Sequence, residues 1–434
     1  MVRRAATWRN ATYVIFGLAG FGLASWVSRI PAVRDSLNAS NVQMGVLALA
    51  IAVGSISGLI GAGRIAGRFS ARRVISTSLT AASIGLLLAA IGTATSVASY
   101  GMVFAGLLIF GAGTGVCNVT MNAEGTLIER AIRAPIMPLF HAAFSIGAVA
   151  GATLGVLATL ANATVVIHLT VVAVIVIASA VISVRSLQSE GEMPATATKD
   201  AAAPSIEIAL AEIALAGNGI ATLVDPASVD ATPACPRSET SSRANSPWLE
   251  LRTVLIGIVV LGTSFANGSA NDWIALAMVD GHGGDNGTGA LAFDVFVVAV
   301  VAGRLAGMHL LARFGRVRIL QASALFTAGG ILIFIFALNP AVAIVLGVIP
   351  WGLGTALGFP VGMSAAADEP SRTAARISVI ATIGYTGSLA GPPIIGFLAG
   401  RVGLLNALLV VLVLVVAAGI LAPAASKKVF TPRV

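Results

Sequence analysis

The chain has 434 residues, 57% of them hydrophobic and only 10% charged, with 48 glycines besides. A soluble domain carries roughly 25% charged residues, so a water-facing fold of this size could not be covered, and soluble enzymes and nucleic-acid binders are excluded as classes. The net charge of +8 therefore asks where the basic residues lie in a topology, not which polyanion they bind.

Twelve apolar stretches are long enough to cross a bilayer core, which takes roughly 20 helical residues each. They run over 11–29, 42–63, 74–94, 98–123, 137–160, 164–184, 251–278, 289–308, 319–338, 341–365, 376–399 and 403–422, and are called spans one to twelve. In lipid every backbone polar group must be satisfied internally, so even the glycine-rich stretches read as helices. The fold class expected is an all-α membrane protein with 12 transmembrane helices.

Orientation follows from Lys and Arg in the loops. With the N-terminus inside, 23 of the 26 basic residues fall on the cytoplasmic side and only Arg29, Arg34 and Arg401 outside. The inner set includes Arg64, Arg68, Arg72 and Arg73 after span two, Arg130 and Arg133 after span four, Arg313, Arg316 and Arg318 after span eight, and Arg304 at the end of span eight. Both termini are expected in the cytoplasm, the chain in the cell inner membrane. Span one, preceded by Arg3 and Arg4, is patterned like a signal peptide, but eleven spans follow and no small-residue cleavage site closes it, so it reads as an uncleaved helix. Cys117 in span four and Cys235 in the central loop are too far apart in this topology to pair.

Intramembrane polar groups are costly and are functional candidates by default. Span one supplies Ser25, Trp26 and Arg29. Span four ends with Asn118, Asn122 and Glu124, and span five opens with His141, so a short antiparallel turn sets Asn122, Glu124 and His141 at one level; Glu124 with His141 is a candidate proton acceptor, with an inner gate or a structural network as the plain alternative. His168 in span six reads as structural.

Residues 186–250 break the pattern, with nine acids against three bases and little to bury, so they read as a cytoplasmic, largely disordered linker with one short interfacial helix at 206–215. They divide the chain into an N-terminal six-helix bundle at 1–185 and a C-terminal one at 251–425, with a cytoplasmic tail at 426–434. In span seven, Asn267 and Asn271 share a face four residues apart, followed by Asp272 and Trp273. Amides with tryptophans suit a neutral hydroxylated solute such as a sugar, although Trp26 and Trp273 also fit an interfacial belt. The loop Asp280-Gly-His282-Gly-Gly-Asp285 holds oxygen and nitrogen groups, but its glycines leave it unorganised, and no metal site is expected. Asp294 lies about five residues into span eight, roughly 8 Å along the helix, where a lipid-facing carboxylate is untenable; it is the first candidate for a proton-coupling group or a substrate anchor, with a structural ion pair or a place near a water-filled mouth as the plain alternative. No nucleophilic triad, phosphate loop or zinc motif appears, so no cofactor is expected and the chain does not read as an enzyme.

The two halves echo each other. Gly63-Arg64-Ile65-Ala66-Gly67 recurs as Gly303-Arg304-Leu305-Ala306-Gly307. Arg68-Phe69-Ser70-Ala71-Arg72-Arg73 recurs, after an insertion, as Arg313-Phe314-Gly315-Arg316-Val317-Arg318. Gly111, Gly113 and Thr114 answer Gly352, Gly354 and Thr355, and Gly147 and Gly151 answer Gly387 and Gly391. Glycines spaced by four, as in Gly54 with Gly58, permit close helix crossing.

With these echoes, and the stretches WVSRIPAVRDSLNAS, MNAEGTLIER, FHAAFSIGAVAGA, NDW, GRLAG and GYTGSLAGPPIIG, the chain resembles the major facilitator superfamily of secondary transporters, in a bacterial branch near the fucose/proton symporter-type members. The resemblance implies two pseudo-symmetric six-helix bundles around one central site exposed alternately to each side, with span seven among the cavity-lining spans. It implies a gating role for Arg64, Arg68, Arg72, Arg304 and Arg313, although Gly67 stands where the superfamily loop has its aspartate, and setting topology alone is the plain alternative for these arginines. Gly387, Gly391 and Pro392 read as a kinked gating helix. The expected function is proton-coupled uptake of a small polar, sugar-like solute by a monomer in the bilayer. Ser25, Trp26, Asn118, Asn122, Asn267, Asn271, Asp272 and Trp273 would bind the solute; Asp294, Glu124 and His141 would carry the proton. Export of amphiphilic compounds is the alternative, and a non-transporting membrane sensor the alternative of a different class.

Overall fold

The computed structural model describes residues 2–94, 96, 98–132, 136–187, 248, 250–366, 368 and 373–426. Linker residues 188–247, with Cys235 and the helix expected at 206–215, lie outside them, as do Arg133, Arg372 and the tail from residue 427.

Among the described residues every regular element is a helix and none a strand; a helix stands over each of the twelve expected spans, and eleven of them are long and apolar enough to cross a membrane. Span one is the helix Val2–Val27, span two Asn41–Ala66, span three Ala71–Gly92, span four Tyr100–Ile132, span five Met137–Leu160 and span six Val165–Val184. Spans seven, eight and nine are Leu251–His282, Asn286–Phe314 and Arg316–Phe336. Span ten is broken into Pro340–Val342, a π-helical turn Ala343–Val348, Ile349–Thr355 and Gly358–Ala366; span eleven is Thr373–Val402; span twelve is split at Leu408 into Leu404–Ala407 and Leu409–Leu421. Several helices outrun the apolar stretch that defines them, because a helix continues into the interface after its hydrophobic run ends. Span eight is the consequential case: it reaches Phe314 rather than residue 308.

A short helix, Ile30–Leu37, follows span one and is absent from the apolar pattern. Pro31 at its first turn and Asn38, left-handed at φ 48°, at its end bracket it, the usual proline-first punctuation of a helix start.

Packing repeats across the halves. Span one packs on five as seven packs on eleven; two on four as eight on ten; three on six as nine on twelve. Between the halves, span two meets span eleven and span five meets span eight, the same contact exchanged by a pseudo-two-fold axis. Small residues make these crossings possible. A Cβ at Gly54 or Gly58 would fall within 3 Å of the Leu108 or Ala112 carbonyl oxygens, and one at Gly111 or Gly115 within 3 Å of those of Ile51 or Ser55. Spans two and four thus interlock backbone to backbone, the device lipid demands where apolar burial gives helices no preference for each other.

Candidate central cavity

A cavity of about 430 Å³ lies between the halves, walled largely by Leu, Ile, Val, Ala, Met and Phe side chains of spans one, two, four, five, seven, eight and eleven. Of the expected solute-binding residues, Trp26, Asn118, Asn267, Asn271, Asp272 and Trp273 line it. Two asparagine pairs are built alike on opposite halves. Asn122 Nδ2 donates to Asn118 Oδ1 at 2.9 Å in span four, and Asn271 Nδ2 donates to Asn267 Oδ1 at 2.8 Å in span seven. The i,i+4 spacing brings each pair together and holds the lining amide in a fixed orientation.

Asp272 lines the cavity and takes no hydrogen-bond or ion-pair partner among the described residues. Trp273 is buried, with Nε1 likewise unmet. Ser25 stands behind the wall, its Oγ donating to the Gly151 carbonyl at 3.4 Å. Arg29 donates to Thr159 Oγ1 at 2.8 Å and to the Ala163 carbonyl at 2.6 Å, tying spans one and five.

Asp294 is set apart from the cavity lining. Its half-buried carboxylate accepts hydrogen bonds from Thr153 Oγ1 of span five at 3.1 and 3.2 Å, so it sits at the junction of the halves. Glu124 is buried and accepts from Trp8 Nε1 at 2.6 Å. His141 is buried edge-on to Phe16, with Nε2 unmet.

Arg304 requires a correction. Its motif copy places it with the loop arginines at the end of span eight, but the span continues for ten more residues and its side chain lines the cavity. Arg64 and Arg68 are exposed at the end of the cavity remote from the Ile30–Leu37 helix. Arg72 donates to the Val184 carbonyl at 2.7 Å and to the Arg185 carbonyl, closing the C-terminus of span six. Arg313 stacks 5.4 Å above the Phe314 ring. Pro392 lines the cavity, and its carbonyl lies against Gly45 of span two, where a Cβ would come within 2.8 Å. Gly387 and Gly391 pack on Leu261 and Phe265 of span seven.

The described contacts between the halves gather at the end carrying the Ile30–Leu37 helix. There Arg34 pairs with Asp280, Asn286 Nδ2 donates to Asp35 at 3.1 Å, and Gly396 meets the Asn41 carbonyl. The carboxylate partners hold the Arg34 guanidinium above its ordinary pKa, outweighing its partial burial. The loop groups reviewed as metal candidates diverge: Asp280 goes to Arg34, His282 lies edge-on to Phe334, and Asp285 caps span eight through Thr288 N at 2.7 Å.

Sequence reading missed Ser55, Thr382, Thr386 and Ser388 on the cavity wall. It also missed Asp368, which receives both Arg316 at 2.6 Å and Arg252 at 2.8 Å. Hydroxyls give no signal in an apolar helix, because they ordinarily bond the preceding turn, as Thr386 does to the Thr382 carbonyl.

Two bundles packed alike thus enclose one cavity that is held shut at one end. No family model matches the chain. It is 27% identical over 394 residues to an uncharacterised MFS-type transporter of Yersinia pestis, covering 90% of this chain and 88% of that protein. It is 26% identical over 400 residues to an uncharacterised transporter of Sinorhizobium fredii, covering 92% and 93%. Among solved structures it is similar to the nucleoside transporter NupG, with TM-score 0.68 and 14% identity over 97% of this chain and 98% of that one. It is also similar to the major facilitator transporter FucP in its outward conformation, with TM-score 0.52 and 17% identity over 96% and 99%. Over most of its length the chain is thus similar to bacterial MFS-type transporters, and its fold is that of solved major facilitator transporters.

Proposed function

We propose that the chain imports a small polar solute across the inner membrane, coupled to protons, by alternating access of the central cavity. The observation that carries the reading is that amides face one cavity from opposite halves: Asn118, held by Asn122 behind the wall, and the bonded pair Asn267 and Asn271. A solute bonded to both would draw the halves together, which converts binding into motion. The basic loops put the N-terminal end inside, so the end joined by Arg34 and Asp280 is the outer one and the described state is closed outward. Asp294 is the proton-coupling group in this reading: a carboxylate bonded across the junction by Thr153 changes the attraction between the halves when it is protonated. Glu124 and His141 are secondary candidates, nearer the cytoplasm. In proteoliposomes an inward proton gradient drives accumulation of the solute, and Asp294→Asn retains exchange but loses accumulation; unchanged gradient-driven accumulation in Asp294→Asn removes the assignment.

The apolar walls of the cavity favour a second reading, export of amphiphilic compounds. It predicts that a gradient acid on the far side expels such compounds and that Asn267→Ala leaves that activity intact.

A further inference from the structure

The cavity is not electrically uniform along its length. Among the described residues its N-terminal-half lining is uncharged, and Asp272 and Arg304 are the only charged residues that line it. They do not meet. Gly289 of span eight packs on the Ala275 carbonyl of span seven, which aligns the two helices; counting 1.5 Å per residue from that contact sets Arg304 roughly 18 Å further along than Asp272. Asp272 thus stands without a countercharge in a largely apolar chamber, a costly arrangement unless a ligand completes it.

What surrounds Asp272 follows from the same counting. Phe293 is four residues beyond Gly289 and Asp272 three residues before Ala275, so both lie within one helical turn of each other in depth. On the N-terminal half, Gly151 packs on Phe21 and Ser25 of span one, and Thr153 bonds Asp294, which brings Trp26 to that depth as well. Trp26 and Phe293 both line the cavity. A carboxylate level with two aromatic rings matches the chemistry of an organic cation, attracted by the charge and by the electron-rich ring faces. An anion is repelled there, and a neutral solute leaves the carboxylate uncompensated.

Resting on the transport reading above, we infer that the solute carries an ammonium group, protonated or quaternary, that docks on Asp272 at the level of Trp26 and Phe293. The hydroxyl-bearing remainder of the molecule then reaches Asn267, Asn271 and Asn118.

The test uses the purified full chain and matched probes: choline against its neutral carbon isostere, and glucosamine against glucose. Stabilisation against heat reports binding by mass action. The cationic member of a pair is expected to half-saturate at a concentration lower by about tenfold or more, as a charge-assisted contact requires. Asp272→Asn brings the members within about twofold of each other, and Asp272→Glu keeps the preference. Equal or tighter binding of the neutral members overturns the inference, as does a preference that survives in Asp272→Asn. Should that variant not fold, the wild-type comparison alone decides. Exchange of neutral solutes with no cation preference removes the ammonium assignment and leaves transport standing; cation binding with no exchange in proteoliposomes does the reverse.

Discussion

Asp272 and Asp294 are both intramembrane carboxylates of the C-terminal half, yet they have different surroundings. Asp294 answers Thr153 across the halves, whereas Asp272 faces the cavity without a partner among the described residues. Their positions in the sequence identify both as candidates but do not separate coupling from binding, because that depends on which face of each helix meets a neighbour. A third acid outside the membrane illustrates a purely local role. Asp285 accepts from both the backbone and the hydroxyl of Thr288, at 2.7 and 2.6 Å, and these bonds hold its carboxyl below the ordinary range. A depressed carboxylate stabilises the fold at pH values above its unfolded pKa, and that contribution is lost as pH falls through its folded one. Asp285→Ala is therefore expected to lower stability by about 1 kcal/mol at neutral pH, the usual size for an N-cap. The difference in melting temperature from the wild type should shrink toward zero as the pH is lowered below about 4. A difference independent of pH contradicts the cap.

At the scale of elements, the glycine spacing was legible before any coordinates. Gly54 and Gly58 are recognisable as a small-residue face, and the structure supplies the partner the pattern did not name, Gly111 and Gly115 of span four, in one crossing of spans two and four. Gly111→Leu would drive a side chain into the Ile51 backbone and is expected to destabilise by about 3 kcal/mol or more, read as a large fall in melting temperature or loss of folded yield in detergent. Gly101→Leu, in the same helix with open space around it, is expected to leave both unchanged. Comparable melting of the two variants contradicts the packing account. What the pattern did not convey was helix length and lateral exposure. Arg304 was legible as part of a repeated loop motif, but hydropathy ends span eight near residue 308, whereas hydrogen bonding carries the helix to Phe314 and turns Arg304 toward the cavity. The Ile30–Leu37 helix was missed for the related reason that eight interfacial residues make no hydrophobic run.

At the scale of the whole molecule, the architecture was the most legible feature, since lipid permits few solutions for twelve apolar segments and the echoes between halves indicate a duplicated bundle. The cavity was not, because its wall is drawn from seven helices whose rotation no single segment reports. The contact of spans two and eleven, and its counterpart between five and eight, gives the two bundles a pair of equivalent pivots. The Arg34 contact with Asp280 and the approach of Gly45 to Pro392 close one end. Opening that end requires these contacts to separate together, so its closure is a property of both halves rather than of one helix.

Central to the account is that a solute bound in this cavity crosses the membrane. Counterflow in proteoliposomes tests that most directly: vesicles loaded with unlabelled solute, chosen as one that stabilises the purified protein, are diluted into trace labelled solute. The account predicts a transient overshoot of label, lost in Asn267→Ala at equal protein incorporation. Binding that stabilises the protein with no overshoot at any pH would contradict it and leave a membrane sensor.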